Sequence, residues 1–499
     1  MITEHPYRPE ILTSVEDAEI LRLKNQTGQR IAVILPALNE EETIGTISSC
    51  LLEKRNTGII DELVVVDSGS TDNTIEICKQ LGVPTYDSDY VLRQIGIEKN
   101  IRGKGVNLYL GQFLTSAPII VYLDSDQNNF DSQVVNRLVY PLLANPKTMM
   151  TKSVFQRRSF GENGQLISFG GRVTMLTVKP VLDIFFPQLS DIFQPINGNV
   201  AVRRSSTECI PFFSQYEADL QLLLETFWRY GRESIAQVFC GIFEQNGQDM
   251  TRLQKVAFQY IHFLLDFLSK LGIININQPL NYHLMQYDNV TGNFSLYNYE
   301  PFQFPPALAI TDYEKRFATQ ITIIRHAPTP YNLTKRIQGQ TDIEIDSQVL
   351  DQYLIQLGSL PKPELIVTSG LTRSKQTAEA IINHFHWSGV PLITDPRFNE
   401  RKFGDFEGKT RHDLRQNFPN IDAIMEGAID YRPPNGELIA EVRERVWQGL
   451  KDLRRLYPGT KILLVTHAGA MLSLNLNPNH PNNLIVSRKE DGNYFIRNI

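Results

Sequence analysis

The sequence predicts an α/β protein of two domains, each built around a parallel sheet. Short apolar runs rich in β-branched residues occur at 30–36, 62–67 and 118–124, and again at 320–326, 364–369 and 461–467. Helical patterns such as 73–81 follow them, and alternating strands and helices build parallel sheets. The segment from Asn275 to Thr319, with four prolines, breaks the pattern. We interpret it as the tail of the first domain plus a linker.

Length and composition exclude several classes of protein. The chain has 499 residues, 42% hydrophobic and 21% charged, which excludes a disordered or collagen-like chain. We expect domains at 1–310 and 318–499. With 49 basic and 55 acidic side chains the net charge is −6, which argues against a nucleic-acid partner.

The cysteines and the termini indicate a cytoplasmic protein. The four cysteines are scattered and form no CxxC pair, so we expect reduced thiols: Cys50, Cys78, Cys209 and Cys240. The polar N-terminus predicts no signal peptide. The most apolar stretch, 256–271, contains charged residues and is too short to span a membrane. We therefore expect no membrane partner.

Acidic residues end two strands of the first domain. Asp67 and Asp124 close their strands, and Asp126 follows two residues later. The ligand crevice of an open α/β sheet lies at the carboxyl ends of its strands, so these carboxylates should share one rim. Paired carboxylates suit Mg²⁺ or Mn²⁺, which can bridge a diphosphate. Lys104, between two glycines at the start of an apolar helix, is a candidate anion partner.

The first domain resembles the nucleotide-sugar glycosyltransferases of the GT-A fold, and most closely the glucosyl-3-phosphoglycerate synthase family. The resemblance covers about 28–307 and rests on the order of its motifs. These are Pro36-Ala-Leu-Asn-Glu-Glu-Glu-Thr-Ile44, Val66-Asp-Ser-Gly-Ser-Thr-Asp72, Gly103-Lys-Gly105, Asp124-Ser-Asp126, Phe169-Gly-Gly-Arg-Val-Thr174, Gln194-Pro-Ile-Asn-Gly198 and Ile235-Ala-Gln-Val238. The segment beginning at Asn39 is predicted to start a helix.

The resemblance implies roles for individual residues. Pro36, Ala37, Leu38, Asn39, Glu40 and Asp67 would bind uridine. Lys104 and Asp126 would face the diphosphate and metal, with Asp124 beside them. Arg172 and Thr174 would hold phosphoglycerate, since a guanidinium suits a phosphate or carboxylate. Gly198 would line the acceptor side.

The sequence departs from this family at three positions. Asn199 replaces a glutamate of the family motif. In the following helix, Asp219 occupies a position where the family has the longer side chain of glutamate. A metal-binding histidine is absent, and Gln245 falls there. Either Glu244, its neighbour, replaces it as a metal ligand, or metal coordination is weaker than in the family. His262, in an apolar helix, is interpreted as structural.

Basic residues and histidines mark the second domain. Arg325 and His326 follow a buried strand, and a histidine there can attack phosphorus when neutral. A neighbouring arginine can neutralise the phosphoryl oxygens. The remaining elements of this pattern are Arg336, Arg373 at a strand-to-helix junction, Glu400, and His467 at the end of the last strand.

This set resembles the histidine phosphatase superfamily, with its phosphoglycerate mutase-like fold, over about 319–499. The resemblance implies that His326 is the nucleophile and that Arg325, Arg373 and His467 surround the phosphate. Glu400 would donate the leaving-group proton, without any cofactor. Thr329, Asn332 and Arg336 would complete the substrate site.

Departures from this family concern the wall of the pocket. Ala327 replaces the usual glycine, and a polar Asn/Pro stretch at 475–483 stands where relatives continue a helix. The remaining histidines match no motif and are interpreted as ordinary surface or structural residues: His384, His386, His412 and His480.

Together the two domains suggest a bifunctional enzyme. The first would transfer glucose from UDP-glucose to 3-phosphoglycerate, and the second would remove the phosphate to give glucosylglycerate, a compatible solute. Two alternatives stay open at this point. The transferase domain is a degenerate binding module beside an active phosphatase, or the sugar is mannose from a GDP donor. The sequence leaves a homodimer open.

Overall fold

The computed structural model describes residues 15–158, 171–244, 250–287, 292–489 and 493–498. The chain divides into two compact units. One contains residues up to 24 together with 29–313, and the other contains 25–28 together with 314–499. The two units are α/β folds, as the sequence predicts.

The first unit contains a large sheet and the helices that cover it. Its strands are β1 Ile31–Ala37, β2 Glu62–Asp67, β3 Thr85–Asp87, β4 Ile119–Tyr122, β5 Met150–Arg158, β6 Val200–Arg203, β7 Phe212–Phe213, β8 Ile235–Glu244, β9 His283–Tyr287, β10 Phe294–Asn298 and β11 Gln303–Phe304. Its helices are α1 Asp17–Thr27, α2 Ile44–Asn56, α3 Thr74–Gln80, α4 Ser88–Gln94, α5 Lys104–Leu114, α6 Gln133–Ala144, α7 Lys179–Phe185, α8 Arg204–Thr207, α9 Glu217–Tyr230 and α10 Met250–Lys270. A π-helical turn, Thr174–Val178, leads into α7.

Seven strands form the main sheet in the order β3-β2-β1-β4-β6-β5-β8. The pairs β1–β2, β2–β3 and β1–β4 are parallel, whereas β6 runs antiparallel to both β4 and β5. All seven residues of β1 are buried, as expected for a central parallel strand covered on both faces. The carboxyl ends of β1 and β4 therefore open at the same edge of the sheet.

Two expectations for the first unit are wrong in detail. The helix predicted from Asn39 begins only at Ile44, because Asn39 has a left-handed φ of 57° that cannot continue a helix. The segment 275–319 contains regular structure that the sequence did not predict. Strands β9 and β10 pair antiparallel, and β11 pairs with β7.

The second unit contains a six-stranded sheet in the order β14-β13-β15-β12-β16-β17. Its strands are β12 Thr319–Arg325, β13 Leu365–Thr368, β14 Leu392–Thr394, β15 Lys461–Thr466, β16 Asn482–Arg488 and β17 Tyr494–Asn498. Its helices are α11 Tyr313–Phe317, α12 Pro330–Leu333, α13 Ser347–Leu357, α14 Thr372–His384, α15 Arg411–Leu414, α16 Ile421–Met425, α17 Ile439–Leu456 and α18 Ala468–Ser473.

The four strands β14, β13, β15 and β12 are parallel, and β16 and β17 add an antiparallel edge. Apolar side chains of α17 and of the sheet fill one core, and those of α13 and α14 fill another. Because β12, β13 and β15 end at one edge, the residues just after them can converge on a common site.

Among the described residues, no helix combines the length and the apolar composition needed to cross a membrane.

Candidate active sites

A cavity of about 310 Å³ opens at the carboxyl edge of the first sheet. The predicted site residues that line it come from separate parts of the chain: Pro36, Ala37, Leu38, Glu40, Lys104, Asp124, Asp126, Arg172, Thr174, Gly198 and Asp219. The fold thus brings most of the predicted transferase site together.

Lys104 is the first residue of α5 and lies between two carboxylates. Its Nζ is 2.6 Å from Oδ1 of Asp124 and 2.8 Å from Oδ2 of Asp219. Burial opposes the charge, but the two carboxylates outweigh it and raise the pKa of Lys104 above its usual value. Lys104 is therefore a protonated cation already held by the protein before any diphosphate binds.

Gly198 makes this arrangement possible. A Cβ at this position would lie 2.1 Å from Nζ of Lys104 and 2.3 Å from Oδ1 of Asp124. A side chain at this position would therefore force the ends of Lys104 and Asp124 to shift. The predicted acceptor-side glycine thus also shapes the charged cluster.

The predicted metal ligands Asp124 and Asp126 have different neighbours among the described residues. Asp124 contacts Lys104, whereas Asp126 lies near enough to Glu40 to affect its pKa. Burial first, and then the charge of Asp126, raise that pKa to about 7. The side chain of Glu244 and all of Gln245 lie outside the described residues. No group of three potential ligands that could hold a metal occurs in the described part of the chain.

Two predicted uridine residues, Asn39 and Asp67, do not line the cavity but build its loops. The carboxylate of Asp67 is fully buried and accepts the backbone N–H groups of Gly69 and Ser70 at 2.8 and 2.9 Å. The side-chain oxygen of Asn39 accepts the N–H of Thr71 at 2.8 Å. These bonds tie the loops after β1 and β2 together.

Asn199 and Asp219, two positions where the sequence departs from the family, make specific contacts in the structure. Oδ1 of Asn199 accepts the backbone N–H of Asp124 at 2.8 Å, which fixes the start of the acidic loop. The carbonyl oxygen of Asn197 accepts from Nζ of Lys152 at 2.6 Å. Burial lowers the pKa of Lys152 to about 8. Asp219 completes the Lys104 contact, so these residues hold the site's shape.

Arg252 is a cavity residue that the sequence reasoning missed. It lies at the start of α10, and its Nη2 donates to the phenol oxygen of Tyr216 at 2.9 Å. Nη1 of Arg172 lies 3.1 Å from the sulfur of Met250, at the first residue of the same helix. Both guanidinium groups therefore lie near the N-terminus of α10, where the helix dipole also favours anions. The signal available in the sequence was an arginine in the first turn of an amphipathic helix.

In the second unit, His326 follows β12 and lies almost fully buried. One ring nitrogen, Nδ1, lies 2.7 Å from the carbonyl oxygen of Ala327, which can only accept, so Nδ1 carries the proton. Burial and the nearby charges of Arg373 and Arg325 hold the pKa of His326 well below its usual range. Nε2 therefore carries an available lone pair, as a nucleophile requires.

His467 lies beside His326, with ring centroids 4.9 Å apart. Its Nε2 is 2.7 Å from Oγ of Ser369, a contact that orients the ring. Burial and the neighbouring His326 hold the pKa of His467 well below its usual range. Nδ1 of His467 is buried without a protein partner, so a bound phosphoryl oxygen can satisfy it. Ser369 ends the predicted strand 364–369, and the sequence assigned it no role.

Arg373 is fully buried under the site rather than exposed in the cleft. Its Nη groups donate to the carbonyl oxygens of Thr341 and Gly339 at 2.9 and 2.7 Å, whereas Nε has no protein partner. Glu407, which the sequence reasoning missed, accepts the N–H of Thr341 at 2.9 Å. A Cβ at Gly339 would meet Glu407 Oε1 at 2.0 Å. The loop 339–341 thus holds the guanidinium in place.

Glu400 lines the same cleft as His326, and its backbone is held by a hydrogen bond. Its backbone carbonyl oxygen accepts from Nη2 of Arg445 at 3.0 Å. A Cβ at Gly469, in the first turn of α18, would lie 2.3 Å from Oε1 of Glu400 and would force that carboxylate to move. Arg325, His326, Asn332, Arg336 and Glu400 line a common cleft of about 940 Å³. Thr329, also predicted for this site, is buried and caps α12 instead.

Comparison with known proteins matches a different family to each unit of the chain. Residues 32–210 match the model of glycosyl transferase family 2, and residues 321–477 match the histidine phosphatase superfamily (branch 1). Among curated relatives, glucosyl-3-phosphoglycerate synthase of Petrotoga mobilis is 33% identical over 60% of this chain and 93% of the relative. That of Mycolicibacterium smegmatis is 31% identical over 59% of this chain and 93% of the relative. A Bacillus subtilis phosphatase is 32% identical over 31% of this chain and 75% of the relative.

Solved structures give the same result for the first unit. The crystal structure of glucosyl-3-phosphoglycerate synthase from Mycobacterium tuberculosis, in complex with Mn²⁺, UDP and glucosyl-3-phosphoglycerate, has a TM-score of 0.51 and 30% identity. It covers 61% of this chain and 97% of that chain. Another structure of that enzyme contains Mn²⁺, UDP-glucose and phosphoglyceric acid and covers 60% of this chain and 96% of that chain, again with a TM-score of 0.51 and 30% identity.

Proposed function

Because this chain belongs to the glucosyl-3-phosphoglycerate synthase family and also carries a histidine phosphatase domain, we propose that it makes glucosylglycerate in two steps. The first domain transfers glucose from UDP-glucose to the 2-hydroxyl of 3-phosphoglycerate. The second hydrolyses the phosphate ester of glucosyl-3-phosphoglycerate. One observation supports this proposal above all. The chain has two separate pockets, and each is lined by charged residues of its own family's motifs.

The first cavity supports the transfer step through its charges. Its described lining has four acidic side chains, including Glu40 and Asp126, and three basic ones, Lys104, Arg172 and Arg252. The two carboxylates of Glu40 and Asp126 repel each other, and this fits a divalent cation, as in the relatives solved with Mn²⁺ or Mg²⁺. Asp126 would hold that cation, with Glu244 the predicted replacement for the absent histidine.

The bound cation would offset the charge of the leaving diphosphate. Side chains of the protein bind and orient the acceptor. Arg172 and Thr174 bind the acceptor's phosphate and carboxylate, which places its 2-hydroxyl at the sugar. Lys104, held by Asp124 and Asp219, supplies a fixed hydrogen-bond donor group in the cavity lining.

The second site supports phosphate hydrolysis through a neutral nucleophile. Nε2 of His326 attacks phosphorus, and the bond to the alcohol oxygen breaks as Glu400 donates a proton to that oxygen. Water then attacks the phosphohistidine, Glu400 takes the water's proton, and phosphate leaves from a neutral His326. Arg325 and Arg373 neutralise the phosphoryl oxygens, as the unpartnered Nε of Arg373 allows.

Incubation of the full chain with UDP-glucose, 3-phosphoglycerate and Mg²⁺ tests both steps. We expect glucosylglycerate and free phosphate as products. The His326→Ala variant should accumulate glucosyl-3-phosphoglycerate, whereas His384→Ala, at the end of α14 away from the cleft, should behave as wild type. A panel of nucleotide sugars run in parallel identifies the donor. Absence of transfer from every donor would refute the synthase step, and persisting phosphate release by His326→Ala would refute the nucleophile.

A further inference from the structure

The Asn/Pro stretch between α18 and β16 is a loop held by its own side chains. Oδ1 of Asn477 accepts the N–H of Asn479 at 2.9 Å. Nδ2 of Asn482 donates to the carbonyl oxygens of Asn477 and His480 at 2.7 and 2.8 Å. Prolines at 478 and 481 restrict the backbone further. The segment 477–482 is therefore a loop of fixed shape rather than a loose connection.

This loop forms one wall of a second pocket beside the nucleophile. The pocket measures about 230 Å³ and reaches Arg325 and His326, and its opposite wall is the C-terminal turn of α13. We call it the side pocket. Gln356 and Leu357 lie on the helix side, and Asn479, His480 and Pro481 lie on the loop side. Pockets for drug-sized ligands measure about 300–1,000 Å³, so this one suits a group of about one ring.

The chemistry of the side pocket suits an uncharged hydroxylated ring. No acidic side chain lines it, and Arg325 beside the nucleophile is its only permanently charged lining group among the described residues. The amides of Gln356 and Asn479 and the imidazole of His480 can each exchange hydrogen bonds with hydroxyl groups. Leucine and proline supply apolar surface for the C–H face of a ring.

The larger cleft that contains Glu400 adjoins the side pocket at Arg325 and His326 and has the opposite character. It contains Glu400, which protonates the leaving oxygen, and it is lined by Lys335, Arg336, Arg411 and Arg415. Arg411 and Arg415 contact Asp422 at 3.1 and 2.8 Å, and Arg411 also lies 3.7 Å from Glu426. Lys335 and Arg336 add two further cations, so basic side chains exceed acidic ones along this rim. Such a surface attracts a carboxylate.

We propose that the side pocket binds the glucosyl group of glucosyl-3-phosphoglycerate while the basic rim binds its carboxylate. This inference rests on the proposed function. The substrate branches at C2. When its phosphate lies at His326, the uncharged glucosyl group and the anionic carboxylate extend from this branch point. The side pocket suits the glucosyl group, and the basic rim suits the carboxylate. The consequence is specificity, because 3-phosphoglycerate, the acceptor of the first domain, lacks the glucosyl arm and gains nothing from the side pocket.

The test compares kcat/KM for glucosyl-3-phosphoglycerate with that for p-nitrophenyl phosphate, using the full-length protein. Gln356 is exposed on α13, so Gln356→Trp fills the side pocket without disturbing the core. We expect it to lower the ratio of the two kcat/KM values at least tenfold. The matched control is Gln352→Trp, one turn earlier on the same helix and outside the pocket, which should keep the wild-type ratio.

A second variant removes hydrogen bonds rather than space. The double substitution Asn479→Ala with His480→Ala should lower the same ratio through a higher KM for glucosyl-3-phosphoglycerate. A wild-type ratio in both Gln356→Trp and the double variant overturns the inference and leaves the proposed function intact. Wild-type protein that fails to hydrolyse glucosyl-3-phosphoglycerate overturns the proposed function, and the inference with it.

Discussion

Lys104 and Asp219, separated by 115 positions in the sequence, form an ion pair with 2.8 Å between Nζ and Oδ2. Asp219 is only 2% exposed, so its charge depends on this lysine. The pair joins the first residue of α5 to the first turn of α9, and both residues line the candidate transferase cavity. A contact that organises the site thus also connects two helices of the domain.

Lys104→Met should destabilise the first domain. Removing one partner of a buried ion pair leaves an uncompensated charge and typically costs about 3–5 kcal/mol. Differential scanning calorimetry of the full chain should show a lower Tm for the first domain, with the Tm of the second domain unchanged. Lys79→Met, on an exposed position of α3, serves as the control. An unaltered Tm would show that the buried carboxylates are neutral in the folded protein.

Gly198→Ala should abolish sugar transfer while leaving phosphate hydrolysis intact. The added methyl group lies 2.1 Å from Nζ of Lys104, so the cluster with Asp124 must open. We expect at least a hundredfold loss of transferase kcat/KM, measured by release of UDP. Hydrolysis of p-nitrophenyl phosphate by the same preparation reports that the second domain is folded, and the calorimetric transition of the first domain reports that the first domain is folded. Transfer at the wild-type rate would mean that the Lys104 contacts are dispensable.

His326 should remain neutral through the pH range in which a peptide histidine, with a pKa of about 6.5, gains a proton. Its buried ring has a pKa held well below that value. Long-range ¹H–¹⁵N NMR of the histidine side chains should show a neutral ring protonated on Nδ1 from pH 7.5 down to below 6.5. The assignment comes from the signal lost in His326→Gln. A titration centred near 6.5 would contradict the buried, neutral nucleophile.

The same shift makes the second domain's stability depend on pH. A histidine whose pKa is lower in the folded state is protonated first in the unfolded state, so stability falls as pH drops below about 6.5. Calorimetry of the wild type between pH 5 and 8 should show this fall. His326→Gln removes one contributor and His467 remains, so the variant should show a weaker but nonzero dependence. Identical slopes in the two proteins would contradict the sign or the assignment.

Ser369→Ala should slow the phosphatase without preventing folding. The variant removes the 2.7 Å contact to Nε2 of His467, which orients a ring beside the nucleophile. Loss of such supporting hydrogen bonds commonly reduces activity about 10- to 100-fold, so we expect a kcat reduced about tenfold. Ser369→Thr keeps the hydroxyl and should recover part of the rate. Equal rates for the alanine variant and the wild type would show that His467 needs no orientation.

The sequence predicted the parts of both sites that depend on strand ends. Asp124, His326 and His467 follow buried β-branched runs, and the rule that parallel strands end at one edge is enough to group such residues. The predicted bounds of β2 match the observed Glu62–Asp67, because the run begins and ends on charged residues.

Contacts between distant loops could not be predicted in this way. Asn39 was expected to open a helix, but its left-handed backbone and its bond to Thr71 depend on the loop after β2, which local propensity does not report. Arg252 and Glu407 lie in segments whose positions are set by tertiary packing. The contact of Asp124 with Lys104 likewise depends on a three-dimensional distance.

The internal pairing of Lys104 has a consequence for the kinetics of association. Its charge is already balanced by Asp124 and Asp219, and the rest of the described cavity lining mixes acidic and basic groups. Long-range attraction of an anionic sugar nucleotide is therefore weak, and its association rate should respond little to ionic strength. The phosphatase cleft, rimmed by an excess of arginine and lysine, attracts its substrate over a longer range and loses that attraction as salt is added.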